Sequence, residues 1–298
     1  MGPKSLVGRP DARAPAGNGI EVEERKRQSY ELWERQAKVW ERRRDLVWRW
    51  TRPVGEWLVD RLDPQPGQTI LDLAAGTGDT GFLAANRLGK AGRLISSDFS
   101  PQMVGAAERR AKELGIQNAE FRVLDAERLE LGDASVDGVL CRFSYMLMAD
   151  PLEALRETRR VLRAGGRLAF STWGEAARNS WMTFSAGVLI ERGLMEPFSS
   201  DGPGVFSMPD EQAIVPLVRE AGFDQIEVEE MELRWRFESS DELWILASEM
   251  QGPVASAIAT LEEEQQRAVR AAIEERAAAF AIGDRYEIPG LSINVIAY

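Results

Sequence analysis

Ile70-Leu71-Asp72-Leu73-Ala74-Ala75-Gly76-Thr77-Gly78-Asp79-Thr80-Gly81 reads as a short buried strand, a glycine turn and the opening of a helix. Asp98 closes the next strand-like run, Ile95-Ser96-Ser97-Asp98. A strand, a glycine loop and a carboxylate after the following strand form the crevice in which an open α/β sheet holds an adenosine-containing ligand. Gly76-x-Gly78-x-x-Gly81 also spells the dinucleotide fingerprint, so the loop alone leaves the ligand open.

The pattern continues outward from this loop. Apolar runs predict strands at 69–74, 93–98, 119–124, 136–142 and 167–173, with helices at 79–89, 101–114 and 151–163. Such alternation implies a parallel sheet covered on both faces and, with right-handed crossovers, a doubly wound one. Gly165-Gly166 is expected to end a helix before the fifth strand. Upstream, residues 1–20 are rich in Gly, Pro, Ala and Arg and read as a disordered tail. Residues 21–62 read as an N-terminal helical cap, with Trp33, Ala37, Trp40, Arg44 and Val47 near helical spacing. Pro53 is expected to start a second helix there.

Downstream, 180–193 and 210–221 read as helices, separated by a flexible Ser199–Gly204 loop. Ile226–Phe237 alternates like a strand, and Leu291–Tyr298 reads as a last one. A helical insertion lies between them and includes an Ala- and Glu-rich helix at 258–281, readable as a lid wall or a dimer surface.

Composition removes several classes of function. The 298 residues contain no histidine, so serine–histidine hydrolysis and histidine-ligated metal chemistry are excluded. One cysteine, Cys141, permits no intrachain disulfide and no cysteine metal cluster. No metal site is expected. The net charge is −11, and Asp224–Tyr298 carries 16 acidic against six basic residues, which argues against nucleic-acid binding. No apolar run of membrane-spanning length occurs, and the expected setting is cytoplasmic.

Three acids choose among the adenosine ligands. Asp72 lies four residues before Gly76, where a dinucleotide site places an apolar residue; a carboxylate there repels a pyrophosphate and suits a nearby ammonium. Asp98 is placed to accept from two ribose hydroxyls, and Asp125, after the third strand, from an exocyclic adenine amine. The loop lacks the basic residue that phosphate sites often recruit. A ligand with an ammonium, a ribose and an adenine is S-adenosyl-L-methionine. Gly76 and Gly78 are expected to let the backbone approach its amino-acid arm.

Ile70–Gly81, Ser97–Met103, Leu124–Glu127 and Val161–Leu168 together resemble the successive motifs of class I S-adenosylmethionine-dependent methyltransferases. The nearest likeness is to the group that holds the ubiquinone/menaquinone biosynthesis C-methyltransferases. The resemblance implies a Rossmann-like, doubly wound, seven-stranded sheet whose last strand is antiparallel. That domain would span 63–298, with substrate-cap segments at about 174–210 and 239–285. It implies a cofactor site of Asp72, Ala74, Gly76, Thr77, Gly78, Asp98, Phe99, Met103, Asp125, Ala126 and Cys141. Tyr30 and Trp33 are read as closing over the cofactor, or else as packing their helix onto the sheet. Arg142, Phe143, Tyr145, Trp173 and Trp181 form the candidate acceptor pocket. Cys141–Met146 departs from the signature of the quinone enzymes, which argues against a quinone acceptor. The expected reaction is methyl transfer to a small, apolar or aromatic metabolite. An NAD(P)-dependent oxidoreductase using the same loop, and a binding module without turnover, stay open as alternatives.

Overall fold

The computed structural model of the chain describes residues 19–197 and 202–298. The expected tail therefore lies almost wholly outside the described residues, as do positions 199–201 of the expected flexible loop. The first element is one helix of 44 residues, α1 (Gly19–Leu62), with Pro53 inside it. The second helix expected at Pro53 does not exist as a separate element. Pro53 sits on the exposed face, where water can take the carbonyl that its missing N–H leaves free, while Val54, Leu58 and Val59 on the other face are fully buried.

The sheet follows as β1 (Thr69–Leu73), β2 (Arg93–Asp98), β3 (Ala119–Val123), β4 (Val136–Arg142) and β5 (Leu162–Trp173). Helices α2 (Asp79–Leu88), α3 (Pro101–Leu114) and α4 (Pro151–Val161) connect them. Then come α5 (Ser180–Glu191), α6 (Glu211–Glu220) and β6 (Ile226–Phe237). The last elements are α7 (Ser240–Ile245), α8 (Gly252–Ala259), α9 (Glu263–Ala277), β7 (Ala281–Ile282) and β8 (Arg285–Ala297). Strand order is β3-β2-β1-β4-β5-β8-β6, with the two-residue β7 paired to β8. The first five strands are parallel, and β8 lies antiparallel between β5 and β6. This is the Rossmann-like, doubly wound sheet with an antiparallel last strand.

Three local readings are corrected. Gly165-Gly166 does not end α4, which stops at Val161; Leu162 already pairs with Val136. The next pair is Gly138 with Arg167, so the glycines lie in an irregularity of β5, with Gly165 at φ +77°. The expected helix at 258–281 is broken at 260–262, where α8 has ended at Ala259, and its body is α9 alone, which stops at Ala277. Glu262 starts α9 with a capping box, its own N–H donating to Gln265 Oε1 at 3.1 Å. The last strand begins at Arg285 rather than Leu291, because its first half pairs with β6 beyond the end of β5.

Strand order brings the carboxyl ends of β3, β2, β1, β4 and β5 into one row, and α1 runs across that row. Its N-terminal half reaches the ends of β2 and β3, through Glu34 to Ser100 and Lys26 to Asp125. Trp50 packs on Trp235 and Phe237 of β6.

Candidate functional site

A cavity of roughly 1630 Å³ lies between the carboxyl ends of the strands and α1, with α5 and the 246–254 segment on its far side. The adjoining switch point between β1 and β4 is where open α/β sheets take ligands. The chain leaves β1 through Ala74 at φ +51°, Gly76 at +56° and Gly78 at +85°. Ala74 pays for its left-handed backbone with about 1 kcal/mol. Hydrogen bonds hold the turn closed, from Ala75 N to Ser97 O at 2.8 Å and from Gly78 N to Ala75 O at 2.9 Å.

Two buried carboxylates brace the loop from different sides. Asp98 is 7% exposed; its Oδ2 accepts from Gly76 N and its Oδ1 from Ser100 N, each at 3.0 Å. Burial raises its pKa to about 6, against the pull of those N–H groups. Asp98 keeps acceptor capacity toward the cavity it lines. Asp72 is 1% exposed and does not line the cavity; it lies beneath the loop and accepts from Gly81 N at 2.9 Å in the first turn of α2. Burial raises it to about 7, with the Arg142 charge opposing.

The remaining predicted residues divide in the same way. Tyr30, Trp33, Ala74, Gly76, Thr77, Phe99, Met103, Asp125 and Ala126 line the cavity together, as do Arg142, Phe143, Trp173 and Trp181. Gly78, Cys141 and Tyr145 do not. At Gly78 a Cβ would stand 2.4 Å from the Phe82 ring, so that glycine serves the packing of α2 rather than ligand approach. At Gly76 a Cβ meets no protein atom within 4 Å. Cys141 is fully buried in β4, and burial pushes its thiol pKa up. Tyr145 is fully buried with its hydroxyl 2.6 Å from Thr158 Oγ1; it belongs to the core, not to an acceptor pocket.

At the β3 end Lys26 bridges Asp125 Oδ2 and Glu127 Oε2, both at 2.9 Å. Glu127 Oε1 also takes the N–H groups of Ala149 and Asp150. Glu34 Oε1 accepts from Ser100 Oγ at 2.6 Å, and Tyr30 meets Phe99 edge-on at 5.8 Å. Sequence reasoning missed Lys26, although 26, 30 and 33 share one helix face.

At the β4 and β5 end the lining turns aromatic. Phe143, at φ +59°, stacks on Trp173 with centroids 3.7 Å apart. Trp173 meets Trp181 at 4.9 Å, and Trp181 stacks on Trp235 at 3.5 Å and 9°. Trp50 continues the wall against Trp235 at 4.8 Å. Gly290 makes room for this, since a Cβ there would stand 2.9 Å from both Trp181 and Trp235. Trp50 and Trp235 were not foreseen; the signal for the latter was inward alternation with Leu233 and Phe237 on one strand face.

This sheet, with a buried carboxylate lining the cavity at the end of β2 and a glycine turn after β1, defines a Rossmann-like α/β protein with its cavity at the switch point. Residues 64–197 match a family described as a methyltransferase domain. Over 180 residues the chain is 33% identical to the ubiquinone/menaquinone biosynthesis C-methyltransferase UbiE of Acidiphilium cryptum, covering 56% of this chain and 71% of that protein. Over 120 residues it is 34% identical to the aklanonic acid methyltransferase DauC of a Streptomyces species, covering 40% of this chain and 54% of that relative. In fold it is similar to a protein of an antibiotic biosynthesis pathway from Anabaena variabilis, at TM-score 0.59 and 16% identity over 83% of this chain and 96% of that one. The chain belongs to the class I S-adenosylmethionine-dependent methyltransferases. The open approach at Gly76 and the acceptor capacity of Asp98 fit that cofactor. No helix among the described residues is long and apolar enough to cross a membrane.

Proposed function

We propose that this chain transfers a methyl group from S-adenosylmethionine to a small acceptor that is apolar or aromatic. Asp98 takes the ribose hydroxyls, Asp125 and Ala126 face the adenine, and Phe99 and Met103 flank it. Ala74, Gly76 and Thr77 receive the amino-acid arm, while Tyr30 and Trp33 of α1 cover the bound cofactor. When bound, the cofactor supplies a methyl carbon on a sulfonium centre, and the protein's task is to align the nucleophile and keep water out.

The observation that carries the acceptor class is the aromatic wall from Phe143 to Trp50, which opens into the same cavity as the glycine loop. Flat apolar molecules gain burial and ring contacts there. Among the described residues, the carboxylates lining the cavity (Glu23, Glu24, Asp98, Asp125 and Glu127) belong to α1's first turns or to the β2 and β3 ends. Among the described residues, the acceptor end offers no carboxylate base. An acceptor that arrives as a competent nucleophile, such as a stabilised carbanion or a phenolate, fits this lining.

The test is turnover of S-adenosylmethionine to S-adenosylhomocysteine with a panel of phenols, acidic carbon acids, aliphatic amines and sugars. Turnover confined to the aromatic and apolar members is expected. Turnover with sugars or aliphatic amines alone refutes the acceptor class, and binding without any turnover favours a module that only holds the cofactor.

A further inference from the structure

We infer that Arg142 binds the carboxylate of the cofactor's amino-acid arm, and so ends the cofactor compartment instead of belonging to the acceptor pocket. This rests on the function proposed above.

Arg142 lines the cavity at the end of β4. Two hydroxyls orient its guanidinium: Nε donates to Thr80 Oγ1 and Nη1 to Thr51 Oγ1, each at 2.8 Å. The Trp48 and Phe143 rings lie 5.9 and 5.8 Å from its central carbon. Among the described residues no carboxylate pairs with it, and its Nη2 has no hydrogen-bond partner. The nearby acids Asp72 and Asp79 offset its charge at longer range but bond elsewhere, to Gly81 N and to Thr77 Oγ1. Arg27, which also lines the cavity, is already held by Glu24 and Glu31. A guanidinium fixed by neutral groups, with one edge free toward a cavity, is a receptor for a carboxylate.

Strand order says whose carboxylate. Reading along the row, Asp125 follows β3, Asp98 ends β2, Gly76 and Thr77 follow β1, and Arg142 ends β4. Adjacent strands lie about 4.8 Å apart, so the row from β3 to β4 spans about 14 Å. A cofactor with adenine at the β3 end and ribose at Asp98 carries its arm over the open face of Gly76 toward β4. Its terminal carboxylate then meets Nη2. With Arg142 taken by the cofactor, the aromatic end of the cavity keeps no charged side chain among the described residues, in line with an apolar acceptor.

The experiment titrates the full chain with S-adenosylhomocysteine and with 5′-methylthioadenosine, the same nucleoside without the amino-acid arm. Arg142→Gln is expected to weaken S-adenosylhomocysteine by roughly 10- to 100-fold. Methylthioadenosine affinity should stay within about threefold, which also reports that the site is folded. Equal weakening of both ligands, or of neither, overturns the inference; the second result moves Arg142 to an acidic acceptor. Should the glutamine variant fail to fold, Arg142→Lys retains the buried charge and is read by the same two titrations, with a selective loss for S-adenosylhomocysteine expected. Wild-type protein that binds neither nucleoside refutes the cofactor reading itself, a different outcome from this one.

Discussion

Asp98→Ala removes the group on which the cofactor reading leans most. The carboxylate is 7% exposed, and its pKa is raised to about 6, so at pH 8 nearly all of it is ionised. Two ribose hydroxyls donating to an ionised acceptor contribute about 1.5 kcal/mol or more each, so the variant should lose about 3 kcal/mol of binding, roughly 150-fold in affinity. The same change strips the acceptor from Gly76 N and Ser100 N. Ser100 is fully buried, so losing the acceptor strands its N–H, and the ligand-free protein should lose about 1–3 kcal/mol as well. Calorimetric titration with S-adenosylhomocysteine at pH 8, beside a urea melt of the free protein, separates the two effects. A dissociation constant within threefold of wild type, in a variant that still folds, would refute the ribose assignment.

The raised pKa of Asp98 also sets a pH profile. Its ionised form is the one that binds, so wild-type affinity should be flat above pH 7 and fall by up to about tenfold per unit below pH 6, whereas Asp98→Ala should show no such limb. Gly76→Ala and Gly78→Ala should fail differently. The first adds a Cβ into open space at φ +56°, costing about 1 kcal/mol of stability but at least tenfold in cofactor affinity. The second drives a Cβ to 2.4 Å from Phe82 and should lower stability more, by about 2–4 kcal/mol, as melting and titration of both variants will show. Lys26→Met leaves Glu127 buried with only backbone N–H partners from Ala149 and Asp150. Burial already raises the Glu127 pKa and Lys26 restrains it, so losing the lysine raises it further. The folded state then holds a proton that the unfolded state has released, and stability falls as pH rises. The cost should be about 1–2 kcal/mol at pH 8 and smaller at pH 5; equal costs in urea melts at both would contradict this.

What the sequence made legible follows from how local each signal was. The five parallel strands announced themselves as apolar runs between turns, and α3 kept its predicted span because Ser100, Pro101 and Gly115 mark its ends within a few residues. Pro53 misled because a proline reads as a break, whereas its cost depends on which face it occupies, and only packing decides that. Gly165-Gly166 looked like a helix stop for the same reason; nothing near it tells that Leu162 already pairs with Val136. In the site, Gly76, Thr77 and Asp98 were legible because one β-loop-α-β unit, β1 through β2, fixes them. Asp72 was legible as unusual, but its place beneath the loop depends on the turn that delivers Gly81 N. The aromatic wall was the least legible part. Trp50, Trp181 and Trp235 come from α1, α5 and β6, far apart in the chain, and only the packing of the two helices against the sheet brings them together.

The central claim is that a strand-end carboxylate and a glycine turn here hold a sulfonium cofactor rather than a dinucleotide. Calorimetric titration of the full chain with S-adenosylhomocysteine and, in parallel, with NADH tests it most directly. One saturable site for S-adenosylhomocysteine and no heat with NADH is the predicted result. Saturable NADH binding without S-adenosylhomocysteine binding would contradict it.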